Sequence, residues 1–165
     1  MASRSMQQVA DELRGLIANF GVRLRELKDA DIATRPRPDK WARKEVLGHL
    51  IDSAANNHQK FVRMMSQQHL DFPGYKQDEW VDQQKYASAN WDVMVELWSL
   101  YNYHIARLIE NVDPSYLGHT IRIEDAGPFT LEFIMADYVE HMKHHIKQIF
   151  PDVDLDNAFE NVYGA

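Results

Sequence analysis

Three histidines close one stretch of this chain. His141, His144 and His145 lie in the last third of Thr130 to Phe150, TLEFIMADYVEHMKHHIKQIF. A neutral imidazole is a ligand for borderline-soft divalent ions, and it also exchanges protons near neutral pH. Leu131, Ile134, Met135, Tyr138, Met142, Ile146 and Ile149 recur at three- and four-residue steps, which predicts an amphipathic helix. Thr130 is its expected N-cap, Gly127-Pro128 punctuates the chain just before it, and Pro151 stops it. At roughly 100° per residue, His145 lies about 40° from the centre of the apolar face, His141 about 80° and His144 about 140°. His141 and His145 therefore face the interior or its rim, and His144 faces outward. Side chains four apart on a helix are neighbours, so this pair suits one metal ion. Hydrogen-bonded histidines at the edge of a core are the plainer alternative, and the spacing leaves both open.

The elements that must position such a pair can be read from the rest of the chain. A first helix is expected over residues 5–27, on the stripe Met6, Val9, Leu13, Leu16, Ile17, Phe20, Leu24 and Leu27. Residues 28–40, with Pro36 and Pro38, read as a connection. A second helix starts near Trp41, with Val46, Leu47, Leu50, Ala54, Phe61 and Met65 on its apolar side. Glu45 suits half of a capping box, but Ala42 cannot supply the other half, and Asp39 is an alternative cap. His58 falls within the apolar arc of this helix, whereas His49 shares a polar stripe with Ser53, Asn56 and Lys60. Periodicity alone selects His58 as the inward residue, although a polar stripe can also line a wet cavity.

Residues 66–89 read as a long irregular crossover. Pro73-Gly74 marks a turn, and Phe72, Tyr75, Trp80 and Tyr86 suit either a pocket wall or a covering loop. A third helix is expected over 90–112, capped by Asn90 and faced by Trp91, Met94, Val95, Trp98, Tyr101, Ile105 and Ile109. His104 lies off that face. Residues 119–123 alternate and suggest one arm of a short hairpin before Gly127. Residues 151–165 read as an acidic tail.

Composition narrows the function. The chain has 165 residues, 45% apolar and 26% charged, with a net charge of −7. That size suits one domain, residues 1–165, with a real core. The acidic balance argues against a nucleic-acid partner. No cysteine is present, so neither disulfides nor thiolate metal sites can form. No apolar run approaches the ~18 residues of a membrane span, and no signal peptide is visible, so a cytoplasmic location is expected. There is no HExxH or HxxEH, no GxSxG, no P-loop, and no paired Glu-x-x-His of the di-iron kind. An exposed Phe133 on the last helix points to a homodimer.

Three segments resemble the DinB/YfiT-like superfamily: Trp41 through Asn57 (WARKEVLGHLIDSAANN), Tyr75 through Val81 (YKQDEWV) and His141 through Ile149 (HMKHHIKQI). The resemblance spans Trp41 to Phe150. It implies an all-α four-helix bundle in up-down-down-up order with a long central crossover. It further implies a metal centre built from one histidine of the second helix and two of the fourth: His49, His141 and His145. On this point it overrules the periodicity argument for His58 and agrees with the angles on the last helix. The ion it implies is divalent: zinc first, with nickel, iron or manganese as alternatives. Three neutral imidazoles leave coordination positions open, the arrangement of a catalytic site. The activities implied are transfer of a low-molecular-weight thiol, with that thiol as cofactor, or hydrolysis of a small molecule. The alternative is a non-catalytic dimeric bundle linked to stress response. Ligating histidines usually donate their other nitrogen to a carboxylate or carbonyl. By sequence the nearest carboxylates are Asp52 and Asp137.

Overall fold

The computed structural model describes residues 4–163. The ends of the expected 1–165 domain and of the 151–165 tail therefore lie outside the described residues. Four long helices carry the core: α1 (Met6–Arg25), α3 (Arg43–Ser66), α5 (Trp91–Glu110) and α6 (Leu131–Ile149), with short α2 (Asp29–Ala33) and α4 (Gln77–Gln83) between them. The expected caps Asn90 and Thr130 form, and Ser5 adds one that the sequence reading did not single out. Ser5 and Gln8 close a reciprocal box on α1, Asn90 accepts from the Val93 amide, and Thr130 accepts from the Phe133 amide. On α3 only half a box forms. The Glu45 carboxylate accepts the Ala42 N–H at 2.8 Å, while Asp39 pairs with Arg37 instead of capping.

The apolar stripes meet in one interior. Leu13, Leu47, Phe61, Val95, Trp98, Ile105, Leu131, Val139 and Met142 have no measurable exposure. Each large side chain so buried stabilises by about 1.5–3 kcal/mol relative to exposure. Pairs between helices fix which ends meet. Arg14 bonds Glu110 and Arg25 bonds Glu96, joining opposite ends of α1 and α5. Glu12 pairs with Lys143 and Phe20 packs on Phe150, joining like ends of α1 and α6. Arg43 donates to the Ile149 carbonyl and Phe61 packs on Tyr138, joining opposite ends of α3 and α6.

A small sheet closes one end. The expected hairpin forms from β2 (Thr120–Ile123) and β3 (Ala126–Thr130). Gly127 takes φ 108°, a conformation that costs glycine little. The crossover is less irregular than its sequence suggests. It contributes β1 (His69–Phe72), which pairs in parallel with β2 in the register His69 to Thr120, as well as α4 and a 3-10 turn at Tyr86–Ser88. β1 was not predicted because it is four residues long and its partner lies some fifty residues away; no local pattern records such a pairing. No helix among the described residues is long and apolar enough to cross a membrane. Phe133 is exposed and stacks on Phe129.

Candidate metal centre

α3 has no solvent side over its first half. Every residue from Glu45 to Ala54 is buried, because α5, α6 and the crossover surround it. The polar stripe therefore lines the seam with α6. His49 is fully buried on that seam, and Ser53 lies one turn further on. The periodicity choice of His58 is corrected here. His58 bonds the Tyr101 hydroxyl at 3.0 Å and packs on His104, on the α5 side of the helix. Periodicity fails because it assumes one buried face, and here two opposite faces are covered.

His49, His141 and His145 come together. The Nε2 atoms of His49 and His141 are 3.3 Å apart, those of His145 and His141 are 3.0 Å apart, and one ligand atom from each ring lies within 4.8 Å of the others. Nitrogens about 2.05 Å from one tetrahedral ion would be separated by about 3.3 Å. The protons support the same fit. Gln148 Oε1 accepts from His145 Nδ1 at 2.9 Å, so a neutral His145 presents a bare Nε2 to its neighbours. His141 can then donate toward one ring but cannot also accept from the other. His49 Nδ1 is buried without a hydrogen-bond partner. A single cation at the common point satisfies three lone pairs that shared protons cannot.

Burial keeps the rings neutral. Desolvation, then the charges of His145 and His144, pulls His49 down to about 3. Desolvation takes His145 to about 4 against the opposing bond from Gln148. His141 falls well below the ordinary histidine range through desolvation, followed by the neighbouring imidazoles and Lys60. Neutral imidazole is the ligating form, so the site presents its donors ready at neutral pH.

The carboxylates singled out in the sequence serve other groups. Asp52 Oδ1 accepts from the Tyr86 hydroxyl and from Gln84, both at 2.7 Å, and its Oδ2 is buried without a partner. Asp137 Oδ2 accepts from the Tyr163 hydroxyl. The groups found beside the histidines are Gln148 and, at 3.4 Å from His141 Nδ1, the Ser53 hydroxyl. His144 stays on the outer side, where its ring meets Phe159 and its Nε2 accepts from Gln148.

The acidic tail expected from the sequence is not a free appendage: it folds back over the centre. Phe159 packs its ring on His141 at 5.1 Å, and the Ala158 amide donates to Glu140. Val153 and Leu155 pack against the core, and Tyr163 meets Phe129. The sequence did hold a signal for this. Val153, Leu155, Asn157 and Phe159 alternate with more exposed neighbours, the period of an extended segment laid on a surface. On the far side, Trp41 covers His49 at 5.1 Å.

The chain as a whole has known counterparts. The chain belongs to the DinB superfamily, whose model matches residues 4–149. It is 23% identical over 140 residues, 84% of this chain and 79% of the other, to a protein of Bacillus mycoides (strain KBAB4) named "Putative metal-dependent hydrolase". A protein of the same name from Oceanobacillus iheyensis is 20% identical over 124 residues, 75% of this chain and 72% of that one. The solved structure of YfiT from Bacillus subtilis is described as a probable metal-dependent hydrolase with an unusual four-helix bundle topology. It matches with a TM-score of 0.78 at 20% identity, over 92% of this chain and 89% of that one, a likeness of fold.

Proposed function

We propose that this protein is a metal-dependent hydrolase in which His49, His141 and His145 hold one divalent ion. The convergence of three Nε2 atoms, which no set of shared protons satisfies, carries the reading. A divalent ion in an all-imidazole site supplies Lewis acidity toward water and toward a substrate carbonyl. The chain itself provides the rest. Gln148 fixes the His145 ring, Ser53 lies against His141, and Trp41 and Phe159 pack on the rings of His49 and His141. Hydrolysis is preferred over thiol transfer because the named relatives are described as hydrolases.

One domain in up-down-down-up order is the architecture that goes with this reading. The salt bridges and ring contacts joining opposite ends of α1 and α5, like ends of α1 and α6, and opposite ends of α3 and α6 support it. Elemental analysis of protein prepared without a polyhistidine tag tests the proposal. One equivalent of a first-row divalent ion is expected in the wild type and in His144→Ala, with loss in His141→Ala. A wild-type protein that takes up no zinc, nickel, iron or manganese on reconstitution would overturn it.

A further inference from the structure

Lys60 continues the polar stripe of α3 two turns beyond Ser53, along the same seam with α6. Asp137 lies one turn before His141 on the facing helix, about 6 Å along the axis. Opposite ends of α3 and α6 meet, so both residues are displaced from the histidines in the same direction. The Lys60 ammonium lies 5.7 Å from the centre of the Phe72 ring and 5.8 Å from that of Tyr163. Its charge is felt by both Asp137 and His141. The strap that places Phe159 on His141 places Tyr163 over Lys60, so the ammonium and the histidines lie under one cover.

What this ammonium lacks, among the described residues, is a carboxylate in direct contact; Asp137 acts on it only from a distance. Among the described residues no carboxylate pairs with Lys60 within ion-pair distance. The acid that acts on it, Asp137, is engaged by the Tyr163 hydroxyl and not by the ammonium. Desolvation draws Lys60 down to about 8, which still leaves it mostly protonated at neutral pH. A half-buried cation held over aromatic faces with no carboxylate in contact gains little to offset its desolvation, and such groups cluster at binding sites.

We propose that Lys60 is the anion-recognising group of this seam, and that the small molecule handled at the histidine centre carries an oxyanion, a carboxylate or a phosphate. The inference rests on the hydrolase reading for the word substrate but not for the binding itself. The test titrates acetate and inorganic phosphate separately into the full-length chain at neutral pH, with and without metal, following amide shifts of residues 57–63 and 137–141. Saturable binding of one anion is expected, and which one saturates distinguishes the two sources. Lys60→Met should weaken it by at least about tenfold, the loss of one charge-assisted hydrogen bond, while Lys60→Arg stays close to the wild type. Lys60→Gln gives the same readout should the methionine variant fail to fold. His141→Ala should lose metal and keep the anion, which separates failure of the metal reading from failure of this one. Binding unchanged in the neutral variants, or no saturation by either anion in the wild type, would overturn the proposal.

Discussion

Gly48→Ala sets two effects of opposite sign against each other. Glycine inside a helix is less favourable than alanine by about 1 kcal/mol, so helix propensity predicts a more stable protein. The packing predicts the reverse. A Cβ on residue 48 would stand 2.3 Å from Tyr86 Cδ2 and 2.4 Å from Cγ, where carbon atoms in contact keep about 3.5–4.0 Å. The Tyr86 ring must retreat by more than about 1 Å, and these are its root atoms, so it cannot simply swing its tip. Overpacking of this kind costs about 1–3 kcal/mol. Retreat also breaks the 2.7 Å bond from the Tyr86 hydroxyl to the buried Asp52, worth about 1.5–3 kcal/mol for a charged acceptor. Net destabilisation of about 2–5 kcal/mol follows, read as a lower urea midpoint at unchanged slope. In a Tyr86→Ala background the obstruction is gone, and the same substitution should stabilise by up to about 1 kcal/mol. A Gly48→Ala protein as stable as the wild type, or equal effects in the two backgrounds, would show that the Tyr86 ring does not pack on Gly48 as described.

Acidification should destabilise the metal-free protein through His49. Its folded-state pKa of about 3 lies below the ordinary 6.5, so its contribution is complete above about pH 6.5 and is lost as pH falls toward the folded value. Near pH 5 that one group contributes a slope of about 1.3 kcal/mol per pH unit. Asp52 and Asp137, both raised by burial, act in the opposite sense, so the comparison is with His49→Gln. Urea midpoints at pH 7 and pH 5 should converge for the two proteins, and parallel pH profiles would refute the assignment. Phe159→Ala should strip bound metal to a chelator several-fold faster at equal stoichiometry, because the ring on His141 is the cover on that side; an unchanged rate, followed by stopped-flow absorbance, would count against the strap.

Much of this was legible in the sequence where one face is buried and the other is wet. The stripe of α1, the caps Asn90 and Thr130, and the placement of His141 and His145 follow from such faces. His49 was not legible from period alone, since covering both sides of α3 erases the distinction that periodicity reads. β1 was hidden because its partner is remote in sequence. The outer partners of the ligands were misplaced for a different reason. Asp52 and Asp137 are near the histidines along the chain, but the rotamers direct them to Tyr86 and Tyr163, while an amide one turn further, Gln148, reaches His145.

The enclosure of α3 has a bearing on how such a chain can diverge. An ordinary amphipathic helix offers drift an outlet at every third or fourth position, on the side that touches nothing. Residues 45–54 offer none, so any change of volume there must be matched by a neighbour on α5, α6 or the Tyr86 turn. Paired changes are slow to accumulate, so this segment is expected to diverge more slowly than the exposed faces of α1 and α5.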